Sequence, residues 1–360
     1  MDWPMNLFFH SDRLRETAGK YGIVLYKSPI RNFQMEKLVV IGASAGGIEA
    51  LVKIIETLPG SFRAPILVVV HVSENHESAL PAILNRTGSL PAVHPYNGQA
   101  IEPGKVYVAP PGLHMVVIDD HIQLKYTPRE NRHRPAIDPL FRSAARIHGN
   151  NVIGIILSGA LDDGTAGLMA IKEHGGFTIA QDPDDALFNS MPESACRYVE
   201  IDYVLPASKI ADTLVHLSNS INASVTDEGD TTAQERIDII DSKEVMMHEL
   251  NDQPGELTPY SCPECSGNLW TATQNGFAQY WCHIGHRYTK RTLLSEKTNK
   301  AEEGLLTAFR ALKESVVIAG EIADEANKYN DSELAAGLKN AAENWKQQLD
   351  SIYQIVNKQD

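Results

Sequence analysis

Long apolar runs are missing from this chain. None approaches the roughly 20 consecutive residues that cross a bilayer, and no basic stretch followed by an apolar core opens it, so direct membrane insertion is not expected. Positive charge is also scarce. The 360 residues hold 32 Lys and Arg against 46 Asp and Glu, a formal net charge of −14. So acidic a chain has no electrostatic footprint for phosphate backbones, which argues against nucleic acid as a partner. Cysteine is rare, with four in all and three of them between positions 262 and 282. That usage suits a metal site in a reducing, cytoplasmic setting better than a disulfide framework.

The most informative stretch that is present runs from Lys37 to Leu51. Leu38-Val39-Val40-Ile41 reads as a buried strand and Gly42-Ala43-Ser44-Ala45-Gly46-Gly47 as a tight turn. Ile48, Leu51, Val52 and Ile55 then follow at helical spacing. Small residues let the backbone turn sharply and lift the Ser44 hydroxyl into the open, in the pattern Gly-x-Ser-x-Gly. The start of the following helix favours negative charge at the same place. An exposed hydroxyl beside such a helix suits acyl transfer. A phosphate-binding loop is the competing reading, weakened by the lack of a basic residue in the turn.

Residues 37–218 alternate strand-like runs (38–41, 66–70, 106–109, 115–118, 152–157, 177–181, 203–205) with helical patterns (47–58, 78–86, 138–148, 164–174, 207–218). This alternation predicts an α/β domain, a doubly wound and mostly parallel sheet covered on both faces. Apolar runs flanking Asp119-Asp120 predict a hairpin inserted into that sheet. Ser44, His71 and the pair Asp162-Asp163 each follow an apolar strand, so all fall on the carboxyl rim where open parallel sheets hold active sites. The combination has a chemical logic. A serine hydroxyl needs an imidazole to take its proton, and the imidazole needs a carboxylate to orient it. Either aspartate could cap the helix near Thr165 and leave the other to face His71. The order Ser, His, Asp differs from that of α/β-hydrolases.

These segments resemble the catalytic domain of chemotaxis receptor methylesterases (CheB type), as do Tyr107–His114, His133–Ala145 and Met191–Ala195. The resemblance runs through most of residues 37–218. It implies hydrolysis of glutamate methyl esters on the cytoplasmic domains of chemoreceptors or similar signalling proteins, glutamine deamidation beside it, and no cofactor for catalysis. It implies Ser44 as nucleophile, His71 as base and Asp163 as the orienting carboxylate, because Asp163 directly precedes Gly164. Ala45 stands where the family usually has Thr, and Ala160-Leu161-Asp162 where it has Met-Gly-Asn. Residues 1–36, read as an N-terminal extension, are too short for the family's usual receiver domain. A non-catalytic adaptor built on the same domain is the alternative.

Residues 219–258 read as an acidic linker, with ten Asp and Glu between Asp227 and Glu256 against Arg236 and Lys243. Residues 259–294 read as a zinc-ribbon-like module. Cys262 and Cys265 form one knuckle, and Cys282 and a histidine form the second. Spacing favours His286 over His283, since three intervening residues let the chain turn back to the ion. Four protein ligands leave no open position, so the expected Zn2+ is structural. Residues 295–360 predict a helical hairpin. Leu305, Phe309, Leu312, Val316 and Ala319 form one apolar stripe, and Leu334, Leu338, Ala341, Trp345, Leu349, Ile352 and Val356 the other. The simplest reading is a hairpin that packs on itself; a coiled-coil dimer or partner-binding surface, and so self-association through these helices, is the alternative.

Overall fold

Ten strands and six helices follow one another from Leu38 to Asn219 in the computed structural model, which describes residues 37–72, 74, 78–219 and 255–356. The N-terminal extension and most of the acidic linker lie outside the described residues. The strands are β1 (Leu38–Ala43), β2 (Ile66–Val70), β3 (Ala92–Val93), β4 (Gln99–Ala100), β5 (Val106–Val108), β6 (His114–Ile118), β7 (His121–Lys125), β8 (Val152–Ile156), β9 (Phe177–Gln181) and β10 (Tyr203–Leu205). The helices are α1 (Gly47–Thr57), α2 (Leu80–Thr87), α3 (Ile137–His148), α4 (Thr165–Glu173), α5 (Ser190–Tyr198) and α6 (Ala207–Asn219).

Seven strands form one sheet in the order β10-β9-β8-β1-β2-β5-β3, and every pairing is parallel. Each residue of β1, β2 and β8 is buried, as continuous apolar runs between two helix layers require. Ile54 and Ile55 of α1 and Leu214 of α6 fill one face. Leu140 and Phe141 of α3 and Leu168 of α4 fill the other. Strand order reverses at β1, which lies between β2 and β8. The loops after these three strands therefore meet at one rim, the switch point of a doubly wound sheet.

The hairpin around Asp119-Asp120 forms, but it does not enter this sheet. β6 and β7 join β4 in a separate three-stranded antiparallel sheet. Met115, Val117 and Ile122 bury one face in the layer of α3, and the Val117 amide donates to Ser143 Oγ. His121 lies in solvent. A hairpin with one wet face belongs outside the helix layer rather than in a doubly covered interior.

The tail begins with a four-stranded antiparallel sheet of β11 (Glu256–Ser261), β12 (Asn268–Gln274), β13 (Phe277–Cys282) and β14 (Arg287–Thr289). Its first strand starts within the span assigned to the linker. β14 runs directly into α7 (Lys290–Lys328), which starts ahead of the expected boundary at 295. Thr289 caps that helix by accepting from the Thr292 amide. α8 (Ser332–Val356) returns along α7 over Ala319, Ala323, Ala326, Ala335 and Ala342, all buried. Most of the predicted stripe is half-buried beside them, whereas Leu334 is exposed. No described helix is long and apolar enough to cross a membrane.

Candidate active site

The register of β1 on β2 pairs Ala43 with Val70, so the next residues, Ser44 and His71, leave the sheet side by side. Main-chain bonds fix both. The His71 amide donates to the Ala43 carbonyl (3.1 Å) and the Ser44 amide to the Ser158 carbonyl beyond β8 (3.0 Å). The chain around Ser44 needs glycine at two places. Gly46, at the start of α1, has φ 70°. Gly159 approaches so closely that an added Cβ would lie 2.8 Å from Ser44 Cβ.

His71 Nε2 meets Asp163 Oδ2 at 2.7 Å, with the two side chains 4% and 2% exposed. Asp163 Oδ2 also accepts from the Ile137 amide (2.7 Å) at the start of α3. Its Oδ1 accepts from Asn131 Nδ2 (2.9 Å) and the Gly164 amide (3.0 Å). Burial alone would raise this carboxyl. The His71 bond and charge, with the Ile137 and Asn131 donors, outweigh burial and hold Asp163 far below the usual carboxylate range. An ionised acceptor at Nε2 fixes the ring proton there. In the neutral ring the lone pair is then at Nδ1, which is buried and without a hydrogen-bond partner.

Asp162, the other candidate carboxylate, faces away from this pair. It does not cap α4, whose N-cap is Gly164 with no side-chain bond. Its Oδ1 accepts from Thr289 Oγ1 (2.6 Å) and Thr292 Oγ1 (3.3 Å) in the tail. Leu161, where the resemblance expects glycine, takes φ 64°. A left-handed leucine costs about 1–2 kcal/mol.

Sequence reasoning gave no role to three further residues at the site. The His133 ring stacks on His71 with centroids 3.6 Å apart and planes 8° from parallel. Burial, then the neighbouring His71 charge, push the His133 pKa down to about 3, so it stays neutral. Asn131 Nδ2 bridges Asp163 Oδ1 and Asp138 Oδ2 (3.0 Å). Asp138 is raised by burial and by the Asp163 charge, and its Oδ1 accepts from the Gly167 amide. The signal available was the polar run Asn131-Arg132-His133-Arg134, which has no periodicity to interpret.

The tail gathers Cys262, Cys265, Cys282 and His286, whose donor atoms all lie within 4.8 Å of one another. Cys265 Sγ to Cys282 Sγ is 3.6 Å, and His286 Nδ1 lies 3.4 Å from Cys282 Sγ and 3.7 Å from Cys262 Sγ. These spacings match the edges of a tetrahedron whose centre would accept an ion at about 2.0–2.3 Å from each donor. Glu264 Oε2 meets His286 Nε2 at 3.2 Å and fixes the ring with Nδ1 towards the sulfurs. His283 is exposed and outside the cluster.

Comparison with known proteins finds matches for the first domain. The family described as CheB methylesterase matches residues 39–214. A Leptospira interrogans protein, provisionally named a protein-glutamate methylesterase/protein-glutamine glutaminase, is 38% identical over 183 residues, 51% of this chain and 95% of that one. A protein-glutamate methylesterase/protein-glutamine glutaminase 2 of Oleidesulfovibrio alaskensis is 38% identical over 189 residues, 51% of this chain and 53% of its own length. The solved Thermotoga maritima CheB methylesterase catalytic domain is 37% identical, with a TM-score of 0.49 over 50% of this chain and 98% of that one.

Proposed function

The chain belongs to the CheB methylesterase family, and on that premise we propose that it is a serine hydrolase acting on methyl esters of glutamate side chains through Ser44, His71 and Asp163. The observation that carries this reading is the 2.7 Å His71–Asp163 pair at the end of the strand beside Ser44. Ser44 Oγ attacks the ester carbonyl as His71 Nδ1 takes its proton. Backbone amides at the start of α1 and at Ala160 hold the oxyanion. Methanol leaves with the proton from His71. Water, deprotonated by the same nitrogen, then attacks the acyl-enzyme and breaks its bond to Ser44 Oγ. That oxygen takes the proton back as the substrate's glutamate side chain leaves as a free carboxylate. Asp163 holds the ring in place and stabilises its cationic form. With a glutamine side chain the leaving group is ammonia. No step needs a cofactor.

The substrate in this reading is the cytoplasmic domain of a methylated chemoreceptor or a similar signalling protein. Ile48, Leu187 and Phe188 support a protein substrate: they are exposed, and Leu187 packs on Gly46 beside the nucleophile. Cys262, Cys265, Cys282 and His286 would hold a structural Zn2+, and α7–α8 would mediate self-association. The setting is cytoplasmic.

Labelling by a fluorophosphonate, together with demethylation of methylated receptor fragments, tests this reading. Ser44→Ala is expected to abolish labelling and lower kcat by on the order of 10⁴-fold or more. Turnover retained in that variant would refute the mechanism.

A further inference from the structure

Asn131 links two sites that the sequence places far apart. It is 3% exposed and takes φ 49°, a conformation its surroundings must hold. Its side-chain nitrogen serves the carboxylate that orients His71. Its side-chain oxygen accepts from the Thr289 amide (3.0 Å), and its own amide donates to the Arg287 carbonyl (2.9 Å). Arg287 directly follows the metal-site residue His286, and β14 pairs with β13, which ends in Cys282. One residue therefore joins the metal module to the His71–Asp163 pair.

Other contacts grip the same loop. Arg132 pairs with Glu296 (2.6 Å) and donates to Ser295 on α7. The Thr289 and Thr292 hydroxyls hold Asp162, next in chain to Asp163. Glu130 and His133 exchange main-chain bonds, so the turn that carries Asn131 also sets the ring stacked on His71. Phe277 of β13 is buried with the catalytic domain's core, edge-on to Tyr198 at 5.0 Å.

We propose that the metal-bound tail is a working part of the active site, with Asn131 as the positioning residue through which it aligns Asp163 and His71. The proposal rests on the triad reading above. The module's own core is six buried residues, two of them cysteines that also ligate the ion. Without the metal, β13 and β14 have little to hold their register, and Asn131 loses the partners of its oxygen and its amide. A freed amide side chain then rotates away from Asp163, and the loop carrying His133 loosens.

The test uses the full-length, zinc-loaded chain, chelation of the ion, and Asn131→Ala. Labelling of Ser44 by a fluorophosphonate and amide hydrogen exchange at residues 130–134 are read together. Chelation is expected to slow labelling roughly 10- to 100-fold and to speed exchange at 130–134, with β1 and β8 still protected. Asn131→Ala should slow labelling to a similar degree with the metal in place. Chelation should then add less than about twofold, because both act through one link. Full multiplication of the two effects would overturn the proposal. So would labelling and exchange that ignore chelation, or an Asn131→Ala protein that folds and labels at the wild-type rate. Should Asn131→Ala fail to fold, chelation of the wild type still decides. Exchange reports the link whether or not Ser44 is the nucleophile, so failure of the triad reading would appear separately, as labelling retained in Ser44→Ala.

Discussion

The catalytic sheet and the Cys/His module of the tail solve the same problem by opposite means. Around the sheet, two clusters of 28 and 25 buried apolar residues exclude water from both faces. In the module, the buried cluster is six residues, two of which, Cys262 and Cys282, are themselves among the four donors that lie within 4.8 Å of one another. A core of the first kind tolerates loss of one contact, because stability is spread over many. One of the second kind would depend on a single bound ion, of the sort worth roughly 10–16 kcal/mol in comparable small zinc modules. The two regions nevertheless share a face at Asn131 and Thr289. The less self-sufficient region thus touches the site that needs the most exact geometry.

If Cys262, Cys265, Cys282 and His286 hold zinc as proposed, removing it should break this comparison most visibly. Chelation, or Cys262→Ala, should melt β12 and β13 and split unfolding into two transitions, with the sheet's transition kept. Differential scanning calorimetry with hydrogen exchange at both regions measures this, and a single unchanged transition would show that the module folds without an ion. The converse change acts in the sheet. Ile155 is fully buried and pairs with Ile41 and Ile179. Ile155→Ala should cost about 2–5 kcal/mol of the sheet's stability and leave zinc affinity unchanged, as denaturant titration and metal competition would report.

The smallest expected effect depends on pH. His133 has its pKa depressed to about 3 in the folded chain, whereas an unfolded histidine titrates near 6.5. Below about pH 6.5 the unfolded chain binds a proton that the folded chain refuses, so this contribution is complete above that pH and declines as pH falls towards 3. Between pH 7.5 and 5 the loss should reach roughly 2 kcal/mol. His133→Phe keeps a ring against His71 and should flatten the fall of Tm over that interval. Asp163, depressed in its turn, acts in a separate window below about pH 4, where the unfolded carboxylate protonates first.

Strand ends carried most of what the sequence made legible. β1, β2 and β8 are unbroken apolar runs, so Ser44, His71 and Asp163 could be placed on one rim without a structure. The choice between Asp162 and Asp163 lay beyond local reasoning, because each is defined by a partner far away in sequence: Thr289 for one, His71 for the other. Asn131 went unnoticed, and His133 stood in the segment His133–Ala145 without a role, for the same reason. Their loop has no period, and its role exists only once β14 lies against it. α5 was missed because Pro192 and the mixed run Glu193-Ser194-Ala195-Cys196-Arg197 dilute its pattern. The hairpin at Asp119-Asp120 was placed in the wrong sheet because apolar strands alone do not say which neighbour they pair with.

The imidazole of His71 spends its outer nitrogen on Asp163, and on the proposed mechanism the inner one is left for chemistry. The inner nitrogen lies closer to the main chain, so such a base has a short arm. A serine carried on a long excursion could not be served by it. The two residues must instead stand shoulder to shoulder, as the roughly 4.8 Å spacing of neighbouring strands provides. The tautomer of one ring thereby ties the chemistry to the pitch of the sheet beneath it.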